Sequence, residues 1–294
     1  MKKKTHNIRR VGLIGNCDKS ACAAAVAQAA QLILASGREV LTEPTTLACT
    51  QIDAFACTNP DTLSREVDLL LVFGGDGTIL QVARQTAGSN VPILGVNIGS
   101  LGFLTAVSSD EIAGALNQVW AGQFSFESRG LIRVTGRRLT RQVSCTALND
   151  VVVSRGVASR LIELEVCINS ELLTRYRCDG LIVSTPTGST AYSLAAGGAV
   201  VFPTAQVIAL TPICAHTLSN RALILPSHAT IEVRVISLKP NTVLSADGQV
   251  VSELSAGDTI TIRRSRRTIR LLHLAGSSFC DTLRRKLHWR GATI

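Results

Sequence analysis

The residues best suited to chemistry form a glycine-rich motif, Gly74-Gly75-Asp76-Gly77-Thr78, which follows an apolar run. Glycine lets the backbone approach a phosphate closely, and the amides at a helix N-terminus attract anions. A carboxylate in such a cradle would repel its own ligand unless it takes part in the reaction or acts through a metal ion. The motif therefore predicts a phosphoryl-transfer site with Asp76 as its catalytic residue. A simple tight turn between a strand and a helix is the structural alternative.

The same motif predicts where the following helix begins. Thr78 and Gln81 can form a capping box, which would start the helix directly after Gly77 and create a preformed anion site. No Gly-Lys-Ser or Gly-Lys-Thr follows, so the motif is not a Walker A loop. It also lacks the Gly-x-Gly-x-x-Gly spacing of dinucleotide-binding folds.

A second glycine-containing stretch, residues 97–104, follows the next predicted strand. Ligands of open α/β sheets bind outside the carboxyl ends of the strands, so we expect this loop and the glycine-rich motif to share one crevice. Phe103 could pack on a base or a ribose. A plain core phenylalanine is an equally good interpretation.

Two polar residues, Asn149 and Asp150, directly precede an all-valine run. Burying them without partners would be costly. Asn149 can offer a donor and an acceptor to the edge of a purine, and Asp150 can accept hydrogen bonds from sugar hydroxyls. An ordinary turn cap is the alternative interpretation.

The longest polar stretch, residues 179–198, runs from a predicted strand into a loop rich in hydroxyl groups and then into a short helix starting near Ser189. Thr187, Ser189 and Thr190 supply neutral donors that suit ribose and phosphate oxygens. We therefore interpret this loop as part of a nucleotide-binding site.

The first 125 residues alternate between strand-like and helix-like patterns. Strands are predicted at 11–15, 39–43, 67–73 and 91–97, and helices at 20–36, 79–87 and 109–121. Near-continuous apolar strands in this alternation predict an α/β domain of Rossmann type, whose parallel sheet is covered on both faces.

From residue 126 onward, short β-like runs dominate and predict a β-rich domain of two packed sheets. Asn169-Ser170 and Asp247-Gly248 are expected to form turns. The basic run Arg263–Arg267 is expected to be a solvated hairpin turn, with a role in steering phosphates as the alternative. The predicted domains are therefore 1–125, 126–275 and a helical C-terminal segment, 276–294, that returns to the first domain.

Composition limits the classes of function. A hydrophobic content of 46% with 17% charged residues is typical of a folded globular protein, and neither a membrane-spanning run nor a secretion signal is expected. The net charge of +9 is uneven, at −1 over residues 1–125 and +10 over residues 126–294. Aromatic residues make up only 4%. The basic half therefore favours a small anionic ligand over nucleic acid.

The nine cysteines are scattered and form no Cys-x-x-Cys pair, which argues against a zinc site. Buried free thiols in a reducing cytosol are the expectation.

Taken together, residues 74–78, 96–104, 149–150 and 179–192 resemble the motifs of the NAD kinase family, and most closely its bacterial, cytosolic form. The similarity extends over essentially the whole chain. It implies transfer of the ATP γ-phosphoryl group to the 2′-hydroxyl of the adenosine ribose of NAD, with Mg²⁺ accompanying ATP. It also implies an active site between the two domains, completed by a neighbouring subunit of a homodimer or homotetramer.

The resemblance also implies residue roles. Asp76 would deprotonate the accepting hydroxyl, Asn149 would meet the adenine and Asp150 a ribose hydroxyl. The residues expected to bind ATP phosphates are Gly74, Gly75, Gly77 and Thr78, and those expected to line the NAD site are Phe103, Arg177, Asp179, Thr187, Thr190, Ala191, Tyr192 and Asp247.

The sequence departs from the family pattern at two places. Asp150 stands where many members have glutamate, so its contact would be shorter or bridged by water. Cys178 stands where a small residue is usual, and we interpret it as a packing thiol. An oxidation-sensitive thiol beside the pocket is the alternative. His216 and Arg221 match a family segment, but we interpret them as structural.

Three other functions remain open at this point. A lipid kinase of the diacylglycerol type would share the glycine-rich motif but not residues 179–192. A catalytically silent NAD sensor would gain nothing from Asp76. Nucleic-acid binding by the basic half would show a steep dependence on salt.

Overall fold

The structure is a computed structural model. It describes residues 8–19, 21–50, 52–99, 102–137, 142–156, 160–216, 220–238 and 242–289. The chain divides into two units. Unit 1 comprises residues 1–128 and 269–294, and unit 2 comprises residues 129–268.

Apolar strands form the centre of unit 1. In chain order its elements are β1 (Arg10–Gly15), α1 (Cys22–Ala35), β2 (Glu39–Thr42), α2 (Pro44–Thr50), β3 (Phe55–Ala56), α3 (Pro60–Glu66), β4 (Leu69–Gly74), α4 (Asp76–Gln85), β5 (Pro92–Asn97), β6 (Val107–Ser108), α5 (Ile112–Trp120) and the start of β7 (Phe124–Arg137). The sheet order is β3-β2-β1-β4-β5, and every pairing is parallel. Every residue of β4 and β5 is buried. The prediction of an α/β domain with a covered parallel sheet is therefore confirmed.

Unit 2 is built from antiparallel strands. After the end of β7 it contains β8 (Gln142–Ala147), β9 (Asp150–Ser154), β10 (Ile162–Ile168), β11 (Glu171–Cys178), β12 (Gly180–Ser184), a 3₁₀ helix (Thr187–Thr190), α6 (Tyr192–Ala195), β13 (Val207–Ile213), β14 (Leu223–Pro226), β15 (Ile231–Val235), β16 (Thr242–Ala246), β17 (Gln249–Leu254) and the start of β18 (Thr259–Leu274). One sheet has the order β14-β13-β12-β9-β16-β17, and β11, β10, β15 and β18 are consecutive neighbours in the other. Val153 of the first sheet and Leu164 of the second belong to one buried core, which confirms the two-sheet prediction.

After unit 2 the chain returns to unit 1. There, the last part of β18 pairs in parallel with β5, and α7 (Phe279–Lys286) follows. Ser278 caps this helix, since its Oγ accepts from the amide of Asp281 at 3.1 Å. Within the described residues, no helix combines the length and apolar composition that crossing a bilayer requires.

Two of the predicted turns are confirmed. Asn169 and Ser170 have φ of 51° and 70° between β10 and β11, and Asp247 and Gly248 have φ of 47° and 77° between β16 and β17. Two consecutive positive φ values are the signature of a type I′ hairpin turn, which matches the twist of the flanking strands.

The predicted hairpin turn at Arg263–Arg267 is wrong, because these residues lie in the middle of β18. Ile262 and Ile269 on either side are buried, as is Ser265 between the arginines. Core residues on both flanks thus keep the backbone extended, and the arginines stay exposed on an uninterrupted strand.

Structure also appears where no element was predicted, between β2 and β4. Helix α3 carries a clear local signal, because Asn59 accepts from the amide of Thr62 at 2.9 Å and Pro60 occupies the first turn. The helix has only seven residues, too few to display a helical period in the sequence.

The expectation that all cysteines are buried free thiols is wrong. Cys17, after β1, and Cys49, in α2, form a disulfide across a separation of 32 residues. Cys214 and Cys280 are free but exposed. The pairing arises because α2 packs beside β1, where Thr46 Oγ1 accepts from the amide of Gly15 at 2.8 Å. Spacing along the chain does not reveal such a tertiary contact.

Reducing the Cys17–Cys49 bond should lower the free energy of unfolding of unit 1 by about 3–4 kcal/mol, because the reduced, unfolded chain regains the entropy of an open loop. Thermal unfolding with and without a phosphine reductant measures this change. The double variant Cys17→Ser/Cys49→Ser is the control and should not respond to the reductant. Equal responses of wild type and variant would contradict the prediction.

Candidate active site

The glycine-rich motif lies at the junction of β4 and α4, and it differs from the prediction in one respect. The helix begins at Asp76, not at Thr78, with Gly75 in an extended conformation at the N-cap and no capping side chain. The predicted capping box between Thr78 and Gln81 is therefore wrong. A carboxylate in the first turn suits the positive end of the helix dipole, which favours the earlier start.

Thr78 has a different role in the structure. Its Oγ1 accepts from Nδ2 of Asn16 at 3.4 Å, which ties the loop after β1 to the motif. The Thr78 side chain also lies over Gly74, where an added Cβ would be 2.6 Å from the threonine Cβ. A side chain at position 74 would therefore push Thr78 away.

The carboxylate of Asp76 is held by the loop that follows β5. Its Oδ2 accepts from the amide of Phe103 at 2.8 Å, and its Oδ1 accepts from the amide of Leu104 at 3.0 Å. A Cβ on Gly102 would overlap this carboxylate, at 2.7 Å from Oδ2. The expected juxtaposition of the two glycine-containing stretches is thus observed, although Ser100 and Leu101 lie outside the described residues. Phe103 is half-buried, with Nζ of Lys286 6.0 Å from its ring centre.

The motif also lies where the sheet order reverses. Strands β1 and β4 are neighbours, and the chain moves outward in opposite directions from them, which is where open α/β sheets bind ligands. Lys19, in the loop after β1, donates from Nζ to the carbonyl of Ile98 at 3.1 Å. The same Nζ would be 3.7 Å from a Cβ on Gly75.

Lys19 is a candidate that sequence reasoning missed. A lysine close to the end of the first strand was the available signal, but such residues are common in surface loops. Its cationic group at the glycine-rich motif adds positive charge beside a helix N-terminus.

In unit 2, the carboxylate of Asp247 organises a second group of candidates. From the β16–β17 turn it accepts from the amides of Leu148 at 3.0 Å and Asn149 at 2.8 Å. The turn-cap interpretation thus applies to Asp247 and not to the side chains of Asn149 and Asp150. Asn149 Oδ1 is buried and has no hydrogen-bond partner among the described residues. A buried acceptor without a partner is costly and indicates a ligand contact.

Asp150, at the start of β9, is only 5% exposed. Burial, and to a smaller extent the nearby carboxylate of Asp247, raises the pKa of Asp150 to about 7. Perturbed carboxyl groups of this kind cluster at functional sites.

The loop after β12 joins the same group. The amide of Thr185 donates to the carbonyl of Asn149 at 2.9 Å, and Thr185 Oγ1 donates to the carbonyl of Leu148 at 2.5 Å. Gly188 packs so closely that a Cβ there would be 2.7 Å from the Cα of Asn149. The structure therefore brings the Asn-Asp pair and the hydroxyl-rich loop together.

The remaining candidates of this loop lie on the 3₁₀ helix and at the start of α6, so the helical turn begins at Thr187 and not near Ser189. Thr187 is buried, and its Oγ1 accepts from Nη1 of Arg129 at 3.3 Å. Thr190 Oγ1 donates to the carbonyl of Thr187 at 3.3 Å. Ala191 is the N-cap of α6, and Tyr192 is 48% exposed.

Asp179 and Arg177 lie at the other end of β12. In the sheet, the last residue of β12, Ser184, is paired with Asp150, whereas the first, Gly180, is paired with Ser154. Asp179 precedes this five-residue strand, so it lies roughly 16 Å from the Asn-Asp pair. Asp179 Oδ1 forms an ion pair with Arg155 at 2.7 Å. Arg177 is 65% exposed and pairs with Glu163 at 3.2 Å. Within one copy, the structure does not bring these two residues to the other candidates.

Three further residues were given structural interpretations. Cys178 is fully buried, and burial raises the pKa of its thiol to about 12, in agreement with a packing role. His216 and Arg221 are exposed, and the amide of His216 donates to the carbonyl of Arg177 at 2.9 Å.

The sequence matches a family of known proteins over most of its length. Residues 11–124 match the ATP-NAD kinase N-terminal domain, and residues 148–274 match the ATP-NAD kinase C-terminal domain. The NAD kinase of Ralstonia nicotianae is 39% identical over 286 residues, which cover 97% of this chain and 94% of that protein. The NAD kinase of Thiobacillus denitrificans is 40% identical over 285 residues, covering 95% and 96%.

Solved structures agree with this match. Yeast NADH kinase, crystallised with NADH, has a TM-score of 0.89 and 26% identity, covering 98% of this chain and 89% of the yeast chain. An NAD kinase from Archaeoglobus fulgidus in complex with ATP has the same fold, with a TM-score of 0.71 and 23% identity over 97% and 100% of the two chains.

Proposed function

Because the chain belongs to the NAD kinase family, whose reaction is the ATP-dependent phosphorylation of NAD, we propose that Asp76 activates the accepting hydroxyl in that reaction. The γ-phosphoryl group of ATP is transferred to the 2′-hydroxyl of the adenosine ribose, giving NADP and ADP. The main support for this role is the orientation of the Asp76 carboxylate. It lies at the N-terminus of α4 and accepts hydrogen bonds from the amides of Phe103 and Leu104.

Phosphoryl transfer requires in-line positioning, charge neutralisation and a base near the attacking oxygen. Asp76 takes the proton of the 2′-hydroxyl as the oxygen attacks the γ-phosphorus, and the bond to the β-phosphate oxygen breaks. Two amide hydrogen bonds prevent rotation of the carboxylate. The residue is therefore positioned before the substrates bind.

Mg²⁺ would enter this site with ATP. No group of three metal-ligating side chains is found in the described part of the chain. This fits an ion that prefers phosphate oxygens and water and takes few protein ligands. When bound, Mg²⁺ would supply charge neutralisation for the phosphates, and Asp76 is a carboxylate within the phosphate-binding turn itself.

The ATP phosphates bind to the backbone of Gly74, Gly75 and Gly77 and to Thr78, with Lys19 adding a charge. The support is the start of α4, where the amides of Asp76 and Gly77 precede the first bonds of the helix, which run from Thr78 and Ile79 to the carbonyl of Gly75. The position of Lys19 Nζ next to Gly75 is the second support. Glycine at these positions leaves the backbone open to a phosphate.

Replacing Lys19 with glutamine should raise KM for ATP by about 10–100-fold, because a charge-assisted hydrogen bond to phosphate is lost. KM for NAD should change little. Steady-state kinetics with each substrate varied in turn measure both constants. Arg9→Gln, at an exposed position of the same unit, is the charge-matched control. Equal values of KM for ATP in the two variants would contradict the role of Lys19.

NAD binds through the group organised by Asp247. Asn149 Oδ1 accepts from the adenine amino group, and Asp150 accepts from a ribose hydroxyl. Thr187, Thr190, Ala191 and Tyr192 contribute hydroxyls and backbone groups, and Phe103 packs on the nucleoside. The support is the unpartnered acceptor of Asn149 and the raised pKa of Asp150.

The contribution of Asp150 to the stability of the free chain should fall as pH rises from about 4 to about 7. The pKa of Asp150 is raised from 3.8 to about 7, so the unfolded chain loses this proton first and the folded state is penalised as pH rises. Asp150→Asn should therefore flatten the pH profile in this window and be more stable than wild type at pH 8. Urea unfolding at several pH values measures this, with Asp110→Asn, at an exposed position, as the control. A profile of Asp150→Asn that is as steep as that of wild type, or steeper, would contradict the assignment.

We also propose that Asp179 and Arg177 reach NAD from a neighbouring copy in a homodimer or homotetramer. Their position at the far end of β12 from Asp150 supports this. Because the substrates ATP and NAD are held within cells, we propose a cytoplasmic location. The seven free thiols fit a reducing compartment, and the Cys17–Cys49 disulfide is the exception to that pattern.

A panel of acceptors tests the function itself. With Mg²⁺ and ATP, the purified chain should form NADP from NAD and leave diacylglycerol unmodified. Product from the lipid alone would favour a lipid kinase. NAD binding without any product would favour a sensor.

A further inference from the structure

A groove of about 770 Å³ lies on unit 2 and shares no lining residue with the candidate active site. It is formed by strands β7, β8 and β18. Five of its lining residues are arginines, namely Arg133, Arg263, Arg264, Arg266 and Arg267. No aspartate or glutamate lines it within the described part of the chain.

Strand pairing places neutral donors beside these arginines. On β7, Arg133 is paired with Thr146 of β8, and two residues further along Thr135 is paired with Ser144. Alternate residues of a strand share one face, so these four side chains belong to the same face of the hairpin. Three hydroxyl side chains thus lie on the same face as Arg133 and line the groove with it.

The arginines of β18 are displayed by a local break in the alternation of the strand. Burial alternates through Ile260 and Ile262, but Arg263 and Arg264 are then both exposed, and Arg266 and Arg267 are both exposed after buried Ser265. The amide of Arg267 donates to Ser265 Oγ at 3.0 Å. The backbone is thus held where consecutive arginines face solvent.

One of these guanidinium groups is already oriented. Arg264 Nη1 donates to Gln206 Oε1 at 2.5 Å and to Ser227 Oγ at 3.4 Å. Both partners are neutral, so neither of them offsets the positive charge of Arg264. An oriented guanidinium loses less entropy when it binds an anion.

Bringing five guanidinium groups to one groove is unfavourable unless an anion offsets their repulsion. Guanidinium groups bind phosphate in a bidentate manner, and hydroxyls add neutral donors. The groove volume is that of small-molecule sites. No aromatic side chain lines the groove among the described residues, so the stacking surface typical of single-stranded nucleic acid is missing.

We propose that this groove is a second anion site, which binds a small ligand carrying two or more linked phosphate groups. The ligand is either a free phosphate chain or the phosphate chain of a nucleotide. Both ligands present linked phosphate groups, which the arginines of the groove would bind in the same way. The proposal does not depend on which acceptor the kinase site uses.

Binding of inorganic tripolyphosphate, followed by isothermal titration calorimetry, tests this proposal. The groove variant is Arg133→Gln/Arg263→Gln/Arg267→Gln. The charge-matched control is Arg160→Gln/Arg175→Gln/Arg234→Gln, which changes exposed arginines of unit 2 that do not line the groove. Thermal unfolding and KM for ATP are measured for all three proteins. ATP and a single-stranded RNA oligonucleotide are titrated in parallel.

The groove variant should lose one saturable tripolyphosphate-binding event per chain, or bind at least tenfold more weakly, whereas wild type and control retain it. KM for ATP should be unchanged, which separates the groove from the kinase site. A parallel loss for ATP would show that the nucleotide form also binds there, and retention of ATP binding would assign the free phosphate chain.

Three results would overturn the proposal. The groove variant could bind tripolyphosphate like the control, both variants could lose binding equally, or only RNA binding could be lost. A chain that makes no NADP but loses tripolyphosphate binding only in the groove variant would refute the kinase function and leave the groove intact.

Discussion

Replacing Asp76 with asparagine is expected to lower kcat for NADP formation by about 10²–10⁴-fold, the usual contribution of a general base. Asparagine keeps the shape of the side chain and can still accept from one of the amides of Phe103 and Leu104, but it cannot take the proton of the 2′-hydroxyl. KM for NAD and ATP should therefore change much less than kcat. Initial rates at saturating substrates measure the effect.

The matched control is Asp61→Asn, which removes another carboxylate from the first turn of a helix in the same unit. Its kcat should equal that of wild type. A loss in Asp76→Asn larger than about 10⁴-fold would indicate that Asp76 also positions substrate or organises the metal ion. Retention of more than a tenth of wild-type kcat by a folded Asp76→Asn would refute the role as base.

Gly102→Ala is expected to lower kcat by about 10²-fold or more, although residue 102 itself has no reactive group. The new Cβ would lie 2.7 Å from Asp76 Oδ2, so the carboxylate must move and lose its two amide hydrogen bonds. Overpacking should also cost about 1–3 kcal/mol of stability. Kinetics together with thermal unfolding separate the two effects.

A double-variant cycle identifies the route of this effect. If Gly102 acts through Asp76, Gly102→Ala should lower kcat little further when Asp76→Asn is already present. Gly114→Ala is the control, because a Cβ at this position in α5 meets no described atom within 4 Å. Full additivity of the two losses would show that Gly102 acts elsewhere.

The sequence was informative where a local rule determines the structure. Three glycines around Asp76 predicted the turn between β4 and α4, and the apolar strand β4 predicted the parallel sheet. The catalytic role of Asp76 stays a prediction. The turn at Asp247-Gly248 followed from the positive φ that such pairs adopt readily. The expected meeting of the two glycine-containing loops followed from the geometry of parallel strands.

The sequence was uninformative where contacts between residues remote in sequence determine the structure. The capping box of Thr78 failed because the helix begins at Asp76, which places Thr78 inside the helix, where its hydroxyl accepts from the remote residue Asn16. The Cys17–Cys49 pair depends on where α2 packs. Asp247 acts on Asn149 across about one hundred residues of chain, so its positioning role could be seen only once the sheet had formed.

Tertiary contacts also decide the structure of the basic run in β18. Four of the five residues from Arg263 to Arg267 are arginines, and such a composition considered alone is typical of a solvated turn. The buried residues Ile262 and Ile269 on the flanks override that local preference and keep the strand continuous.

The most direct test of the central claim is to follow the terminal phosphate of ATP. The purified wild-type chain is incubated with Mg²⁺, NAD and ATP labelled at the γ-position, and the products are separated. We predict that the label appears at the 2′-position of NADP in a one-to-one ratio with ADP. Label recovered only as inorganic phosphate, or none transferred by a folded chain that binds NAD, would contradict the account.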